Sequence, residues 1–148
     1  MNITPIALQS ILNLLLALLL GAIIGFERQL RNHPTGLHTN ALVCMGSAAY
    51  ALVSLLITQD SSPTRIAGQV VTGVGFICAG VIWHEGATVK GLNTAVTIWC
   101  TAAIGILAGL DFSLIAIFAA GILLAANVVL HWVEHRYFSG TRASSLRE

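Results

Sequence analysis

Charged side chains are scarce in this chain. Asp, Glu, Lys and Arg make up 9% of its 148 residues, and hydrophobic residues make up 56%. A soluble domain carries about 25% charged residues, so this scarcity excludes a surface covered mainly by water. The mean hydropathy of +0.85 indicates instead that the lipid bilayer is a main partner of the chain. A net charge of +1 gives no bulk attraction to DNA or RNA, so we expect no nucleic acid partner.

Motifs that would indicate an enzyme or a metal centre are also missing. The sequence has no Walker A, G-x-S-x-G or H-E-x-x-H pattern. Its three cysteines, Cys44, Cys78 and Cys100, are widely spaced in apolar segments, which favours packing over catalysis. His131 and His135 have an i, i+4 spacing that permits a shared metal, but such histidines more often lie in the membrane interface. We therefore expect no enzymatic activity, no cofactor and no bound metal ion.

Long apolar runs are what the sequence has in abundance. A spanning helix needs about 20 mostly apolar residues, with about 17 as the lower limit. Five stretches qualify, at 6–26, 40–57, 66–83, 94–110 and 113–133. Short connections predict antiparallel neighbours, so we expect an all-α membrane protein that forms a compact bundle of five transmembrane helices. The expected domains are a transmembrane domain at 1–138 and a short cytoplasmic tail at 139–148.

The distribution of Lys and Arg predicts the orientation of this bundle. With five spans, one side of the membrane carries six of the seven basic residues and the other side carries only Arg65; the six are Arg28, Arg31, Lys90, Arg136, Arg142 and Arg147. Basic residues are enriched in cytoplasmic segments. We therefore expect the N-terminus outside and the C-terminus in the cytoplasm. The N-terminus also lacks the basic segment and cleavage site of a signal peptide, so we treat the whole chain as mature.

Glycine is concentrated in the third span. Gly68 and Gly75 share one helical face, and Gly73 and Gly80 share another. Because glycine lets helix backbones approach closely in lipid, two such faces predict that the third helix is central and is contacted closely on two sides. Packing of an ordinary bundle explains these glycines, and so does a docking surface for a partner helix.

The pair Glu27–Arg28 interrupts the end of the first apolar run. From the residues alone, it is either the place where a helix leaves the membrane, with Arg28 reaching the headgroups, or a polar site. Glu27 has Arg28, Arg31 and Lys90 as possible partners. Further along, Asn93 or Thr94 is suited to cap the start of the fourth helix.

Three ordered blocks of sequence resemble the MgtC/SapB family of bacterial inner-membrane proteins. The first is "GAIIGFER" with a downstream "GLHT", the second is "RIAGQVVTGVGF", and the third is "GLNTA". Their order and distances fit the family over most of residues 12–110, which makes the match more specific than any single block.

The resemblance implies a multi-helix protein of the bacterial inner membrane. Family members are associated with growth at low Mg²⁺ and with intracellular survival and virulence. The family likeness implies a non-enzymatic regulator of other membrane proteins, with the F-type ATP synthase as a partner, and a homo-oligomer is possible. The competing hypothesis is a transporter or channel for Mg²⁺ or another small solute, which would act as an oligomer. A membrane enzyme is a third hypothesis, but no nucleophile and base can be assembled for it.

The family motif also assigns candidate residues in this chain. The candidates for a polar cluster or a partner contact are Glu27, Arg28, Gly36, Thr39, Arg65, Gln69, Gly73, Gly75, Gly80, Asn93, Thr94 and Cys100; the glycines Gly21, Gly25 and Gly91 also match the family blocks. With the resemblance, we expect Glu27 and Arg28 to form a buried polar cluster with Asn93 and Thr94. Longer family members continue into a soluble ACT-like domain, so we expect this chain to be a short form without it.

Overall fold

The structure is a computed structural model that describes residues 3–57 and 64–137. These residues form five helices and one small hairpin: α1 (Ile3–Leu30), α2 (Leu37–Leu56), α3 (Thr64–Ala79), β1 (Trp83–Glu85), β2 (Thr88–Lys90), α4 (Leu92–Gly109) and α5 (Ser113–Tyr137). The expected tail at 139–148 lies outside the described residues.

Four of the five helices are long and apolar enough to cross a membrane: α1, α2, α4 and α5. The fifth, α3, has 16 residues, or about 24 Å at about 1.5 Å per residue. The predicted third span at 66–83 is therefore too long at its C-terminal end. The chain turns after Ala79 and enters the hairpin, in which Trp83 pairs with Lys90 and Glu85 with Thr88. The sequence analysis did not predict this hairpin.

The helix α4, and not α3, lies at the centre of the bundle. It contacts all four other helices, whereas α3 contacts only α2 and α4. The prediction of a central third helix is wrong, because Gly68, Gly73 and Gly75 have no atom within 4 Å of where a Cβ would stand. Their faces are open, so the glycines of α3 do not mark close packing within the bundle.

Close packing occurs instead on both sides of α2. A Cβ on Gly21 would stand 2.5 Å from the Asn40 carbonyl oxygen, and one on Gly25 would stand 2.7 Å from the Gly36 carbonyl oxygen. On the other side, Cβ atoms on Gly105 and Gly109 would collide with the Cys44 and Ala48 carbonyl groups. Since lipid supplies no hydrophobic drive for helix association, backbone contact of this kind holds the bundle together.

These contacts fix the directions of the helices. Along α1 the contacts move backwards along α2, so α1 and α2 are antiparallel. The α4 contacts move forwards with a constant separation (105 − 44 = 61 and 109 − 48 = 61), so α2 and α4 are parallel. The short turn at 110–112 then makes α5 antiparallel to α4 and parallel to α1.

Two buried clusters form the core. The larger joins α1, α2, α4 and α5 and consists mainly of small residues: Ala17, Leu20, Ile24, Cys44, Ala48, Ile104, Ala108, Ala116 and Ala120. The smaller joins α3 to α4 through Val70, Val74, Cys78, Ala95, Ile98 and Ala102. Large apolar side chains such as Leu19, Phe76 and Phe118 are exposed, which is the arrangement expected of a surface that faces lipid.

The start of α4 differs from the prediction. Its N-cap is Gly91, with φ +86, and no side chain caps the helix. A Cβ at Gly91 would collide with the Val81 carbonyl group, so both the left-handed backbone and the lack of space require glycine there. Asn93 and Thr94 come after the cap, so the prediction that one of them caps α4 is wrong.

We expect Gly105→Ala to lower the free energy of unfolding by about 1–3 kcal/mol, because the added methyl group would overlap the α2 backbone. Gly68→Ala is the matched control, since it adds the same methyl group in open space and removes a residue that disfavours helix. Unfolding in mixed micelles, followed by circular dichroism, measures both variants. Equal stability of Gly105→Ala and the unmodified chain would contradict the packing of α4 on α2.

Candidate functional site

The end of α1 positions the Glu27–Arg28 pair. After Leu30 the chain turns at Asn32, which has φ +56. The His33 N–H donates to the Arg28 carbonyl oxygen (3.1 Å), and the Arg31 N–H donates to the Glu27 carbonyl oxygen (3.3 Å). A left-handed Asn with a bond of this type closes a helix C-terminus, and Pro34 prevents the helix from continuing. The two side chains therefore project from the last regular turn of a long apolar helix.

Glu27 forms an ion pair with Arg31, one helical turn later. The side chains are 15% and 26% exposed, respectively, so the pair lies near the surface but is partly covered. Of the three partners considered for Glu27, the structure confirms Arg31. Lys90 pairs instead with Glu85 on the hairpin.

Arg28 points into the bundle. It follows Gly21 by seven residues and Gly25 by three, so it shares the helix face that packs on α2. The residue is 2% exposed, and its Nε and Nη2 atoms are buried without a hydrogen-bond partner among the described residues. Of the two interpretations of the Glu27–Arg28 pair, the burial of Arg28 fits a polar site and not a side chain that extends along the lipid-facing surface, because close packing of α1 on α2 turns this face inward.

His33 lies within electrostatic reach of both Arg28 and His131. Burial lowers the pKa of His33, and the nearby positive charge of Arg28 lowers it further, with smaller opposing and reinforcing effects from Glu27, His131 and Arg31. His33 therefore lies near both the end of α1 and the exposed His131 on α5. Its neutral form is favoured there.

The register of α5 on α1 brings Asn127 to the same level. At the other end of these helices, the Asp111 carboxylate accepts hydrogen bonds from Gln9 (2.8 Å) and Asn13 (3.2 Å). Asn127 lies 16 residues after Asp111, and Arg28 lies 15 to 19 residues after Asn13 and Gln9. Because α1 and α5 run in the same direction with the same rise per residue, Asn127 and Arg28 stand at one depth. The Asn127 Nδ2 atom is also buried without a partner in the described part of the chain.

We call Glu27, Arg28, Arg31, His33, Asn127 and His131 the inner polar cluster. The sequence analysis named Glu27 and Arg28 but joined them to Asn93 and Thr94. In the described ranges, no hydrogen bond or ion pair connects Asn93 or Thr94 to Glu27 or Arg28. Asn93 is exposed and Thr94 is buried. That prediction rested on the four residues lying on the same side of the membrane, but this placement does not specify which helix face a residue occupies.

A second polar group, which the sequence analysis missed, lies between α2 and α4. The Asn40 side chain is completely buried; its amide donates to the Gly36 carbonyl oxygen (3.0 Å), and its Oδ1 accepts from the Thr101 hydroxyl (3.2 Å). Thr101 also contacts the Thr97 carbonyl oxygen (2.8 Å). This network explains the environment of Gly36, whose carbonyl group is buried between α1 and Asn40. Its hydrogen bonds are made within the bundle, so we interpret the network as a structural link between α2 and α4.

The remaining candidates are scattered. Arg65, Gln69, Gly73, Gly75 and Gly80 are exposed on or just after α3, while Thr39 on α2 and Cys100 on α4 are half-buried. The thiols Cys44 and Cys78 are buried and free, as expected of packing residues. Within the described residues, no three His, Cys, Asp or Glu side chains are grouped in a way that could hold a metal ion.

The lowered pKa of His33 predicts a dependence of stability on pH. Its folded-state pKa lies below the ordinary value of 6.5, so between these two values the unfolded chain binds more protons than the folded chain. The free energy of unfolding should therefore fall as the pH is lowered through about 6.5, and this fall should end below the folded-state pKa.

Melting temperatures of the detergent-solubilised protein between pH 8 and pH 5 measure this effect. The variant His33→Gln should show a smaller loss on acidification, whereas His84→Gln, on the exposed hairpin, should behave like the unmodified chain. An unchanged pH profile for His33→Gln would contradict the assignment.

Comparison with known proteins identifies the family. The family model described as MgtC family matches residues 14–136. The protein MgtC of Salmonella typhimurium (strain LT2) is 53% identical over 126 residues, which is 85% of this chain and 54% of that protein. The protein MgtC of Brucella abortus (strain 2308) is 50% identical over 114 residues (77% and 48%). An uncharacterised protein of Synechocystis is 49% identical over 122 residues (82% and 52%).

This chain spans about half the length of the curated relatives that it matches. No solved structure gives a significant match. The match of the family model over most of the chain, together with relatives at about half identity, is decisive: the chain belongs to the MgtC family.

Proposed function

We propose that this chain is a non-enzymatic membrane regulator that acts by packing against another membrane protein. In keeping with its family, it would serve adaptation to low Mg²⁺ and survival inside host cells, in the bacterial inner membrane. The F-type ATP synthase is the partner that the family resemblance favours. The observation that carries the proposal is the open glycine face of α3 beside a groove.

The groove lies between α2 and α3 and has a volume of about 500 Å³. Gly46 and Gly73 lie in its two walls, and neither has an atom within 4 Å of a Cβ position. Leu42, Val43, Val70, Val74 and Ile77 supply most of the remaining lining. A surface of this composition favours an apolar helix over a hydrated ion, because it offers few groups to replace water.

The bundle itself shows how such a surface is used. Wherever α1 or α4 presents paired glycines to α2, the helix backbones come into direct contact. The helix α3 presents the same residue type without a neighbour. The buried Ser47, which is 3% exposed, also lines the groove. A hydroxyl group in this position could bond to a polar side chain of the docked helix.

The proposal includes a definite orientation. We place the N-terminus outside and the C-terminus in the cytoplasm, with five crossings, because six of seven basic residues then lie inside. The inner polar cluster and the hairpin would then face the cytoplasm. The shorter α3 would cross where the bilayer is locally thinner or where its ends are extended by snorkelling side chains.

The contact is tested by photo-crosslinking in native membranes. The probe benzoylphenylalanine replaces Phe76, which is 83% exposed on α3 and lies three residues after Gly73; the matched control replaces Phe118, which is 70% exposed on α5. We expect a discrete crosslinked protein from position 76 and none from position 118. Differently tagged copies of the chain distinguish a second copy from a foreign partner.

A substitution makes this test specific. Gly73→Leu would fill the open face of α3 and should abolish the crosslink from position 76 as well as growth support at low Mg²⁺. Gly121→Leu is the control, because Gly121 on α5 also has open space around it. If both variants kept the crosslink and full activity, the docking surface would be elsewhere.

A flux assay distinguishes the transporter hypothesis from the regulator proposal. We expect proteoliposomes that contain the chain to release Mg²⁺ no faster than empty liposomes. Flux that depends on the protein and is abolished by Glu27→Gln or Asn93→Ala would overturn the regulator proposal in favour of a transporter.

The orientation is tested with reporters fused to the two ends. A green fluorescent protein at the C-terminus should fluoresce, and alkaline phosphatase at the same position should be inactive. The opposite result at the C-terminus, or the same compartment for both ends, would overturn the five-crossing arrangement.

A further inference from the structure

The inner polar cluster contains buried polar atoms that have no hydrogen-bond partner among the described residues: Arg28 Nε and Nη2, Asn127 Nδ2, and both carboxylate oxygens of Glu27. Arg28 carries a full positive charge at 2% exposure, and its Nε and Nη2 atoms have no acceptor within the described residues. A buried charge is costly unless an opposite charge and hydrogen bonds compensate it. The structure therefore shows a buried charged group for which two hydrogen-bond acceptors have to be identified.

Glu27 fills that role only in part. Its negative charge acts on Arg28, but the same carboxylate forms the ion pair with Arg31 at i+4. Both carboxylate oxygen atoms are buried without a hydrogen bond among the described residues. One carboxylate is therefore shared by two guanidinium groups, and it accepts no hydrogen bond from Arg28.

Asn127 adds a second unused donor from the opposite helix. Its Nδ2 atom is buried without a partner in the described ranges, and the register of α5 on α1 places it at the depth of Arg28. A guanidinium fork on one helix and an amide at the same depth on another offer donors that match the oxygen atoms of a phosphate group. Water could accept these hydrogen bonds, but it could not neutralise the charge.

The position of the cluster fits this ligand. Arg28 stands in the last turn of a spanning helix, and the half-buried Arg31 and His33 connect it to the surface along residues 31–36. Phosphate groups of lipids lie at this depth, and basic pockets between helices bind such headgroups. We propose that Arg28 and Asn127 form a binding site for a phosphate group, supplied either by a phospholipid headgroup or by free phosphate.

The first measurement uses the unmodified chain in an uncharged maltoside detergent. In one arm, inorganic phosphate is compared with chloride at equal ionic strength; in the other, phosphatidylglycerol is compared with a neutral glycolipid that has no phosphate. Thermal unfolding and native mass spectrometry report binding. A rise in melting temperature with inorganic phosphate assigns the site to free phosphate. A rise only with phosphatidylglycerol, with retained lipid in the mass spectrum, assigns it to a headgroup.

Variants connect binding to the named residues. Arg28→Gln should weaken phosphate or phosphatidylglycerol binding about tenfold or more, because it removes a charge-assisted pair. Arg28→Lys should be intermediate, since the charge remains but the fork is lost. Lys90→Gln is the matched control; it removes one positive charge from the exposed hairpin and should leave binding unchanged.

Asn127→Leu keeps the test decisive if Arg28→Gln does not fold. Leucine has a volume similar to that of asparagine, and this variant leaves the charge of Arg28 in place. It should also weaken binding of phosphate or phosphatidylglycerol. No stabilisation of the unmodified chain in either arm would overturn the proposal. Binding to a folded Arg28→Gln variant as tight as to the unmodified chain would overturn it as well.

Discussion

The close approach of two helices to the backbone of α2 is the constraint on which the rest of this structure depends. In lipid, apolar side chains gain nothing by leaving the solvent, so helices associate through packing and a few hydrogen bonds. Gly21 and Gly25 on one side and Gly105 and Gly109 on the other bring α1 and α4 against α2. The fixed separation of 61 residues between α2 and α4 follows from these contacts, and it also places Thr101 opposite Asn40.

The same packing creates the inner polar cluster. Arg28 continues the face that begins with Gly21 and Gly25, so the contact that holds α1 on α2 also turns a guanidinium group inward. Glu27, about 100° away, remains at the edge and pairs with Arg31. A charged residue is thus buried as a geometric consequence of close helix packing, and the desolvation cost of its burial is reduced only by opposite charges and hydrogen bonds.

The sequence predicted the helices better than their contacts. The long apolar runs predicted four helices that are long enough to cross a membrane, and they predicted the existence of the fifth helix, because composition over about 20 residues is a strong signal. Glycine content was misleading for α3, since glycine marks either a close contact or an open face, and composition does not distinguish the two. The hairpin at 83–90 was missed because strands of three residues show no usable alternation.

The candidate site was predicted in part for a similar reason. Glu27 and Arg28 stand out because they interrupt an apolar run. His33 follows them directly in the turn after α1. Asn127 is placed at their depth only by the register of α5 on α1, and that register rests on Asp111 bonding to Gln9 and Asn13 at the other end of the bundle. Hydropathy assigns a residue to a side of the membrane, whereas a partner is selected by helix face and depth together.

The groove and the inner polar cluster lie beside different parts of the core. The groove lies between α2 and α3, and the buried residues of α3 join the smaller cluster with α4. The inner polar cluster belongs to α1, α5 and the segment that precedes α2, which are held by the larger cluster. A helix that docks beside α3 could therefore shift α3 against α4 without breaking the glycine contacts around α2. The helices α2 and α4 both connect the groove to the environment of Arg28, because α2 lines the groove and packs on α1, and α4 belongs to both clusters.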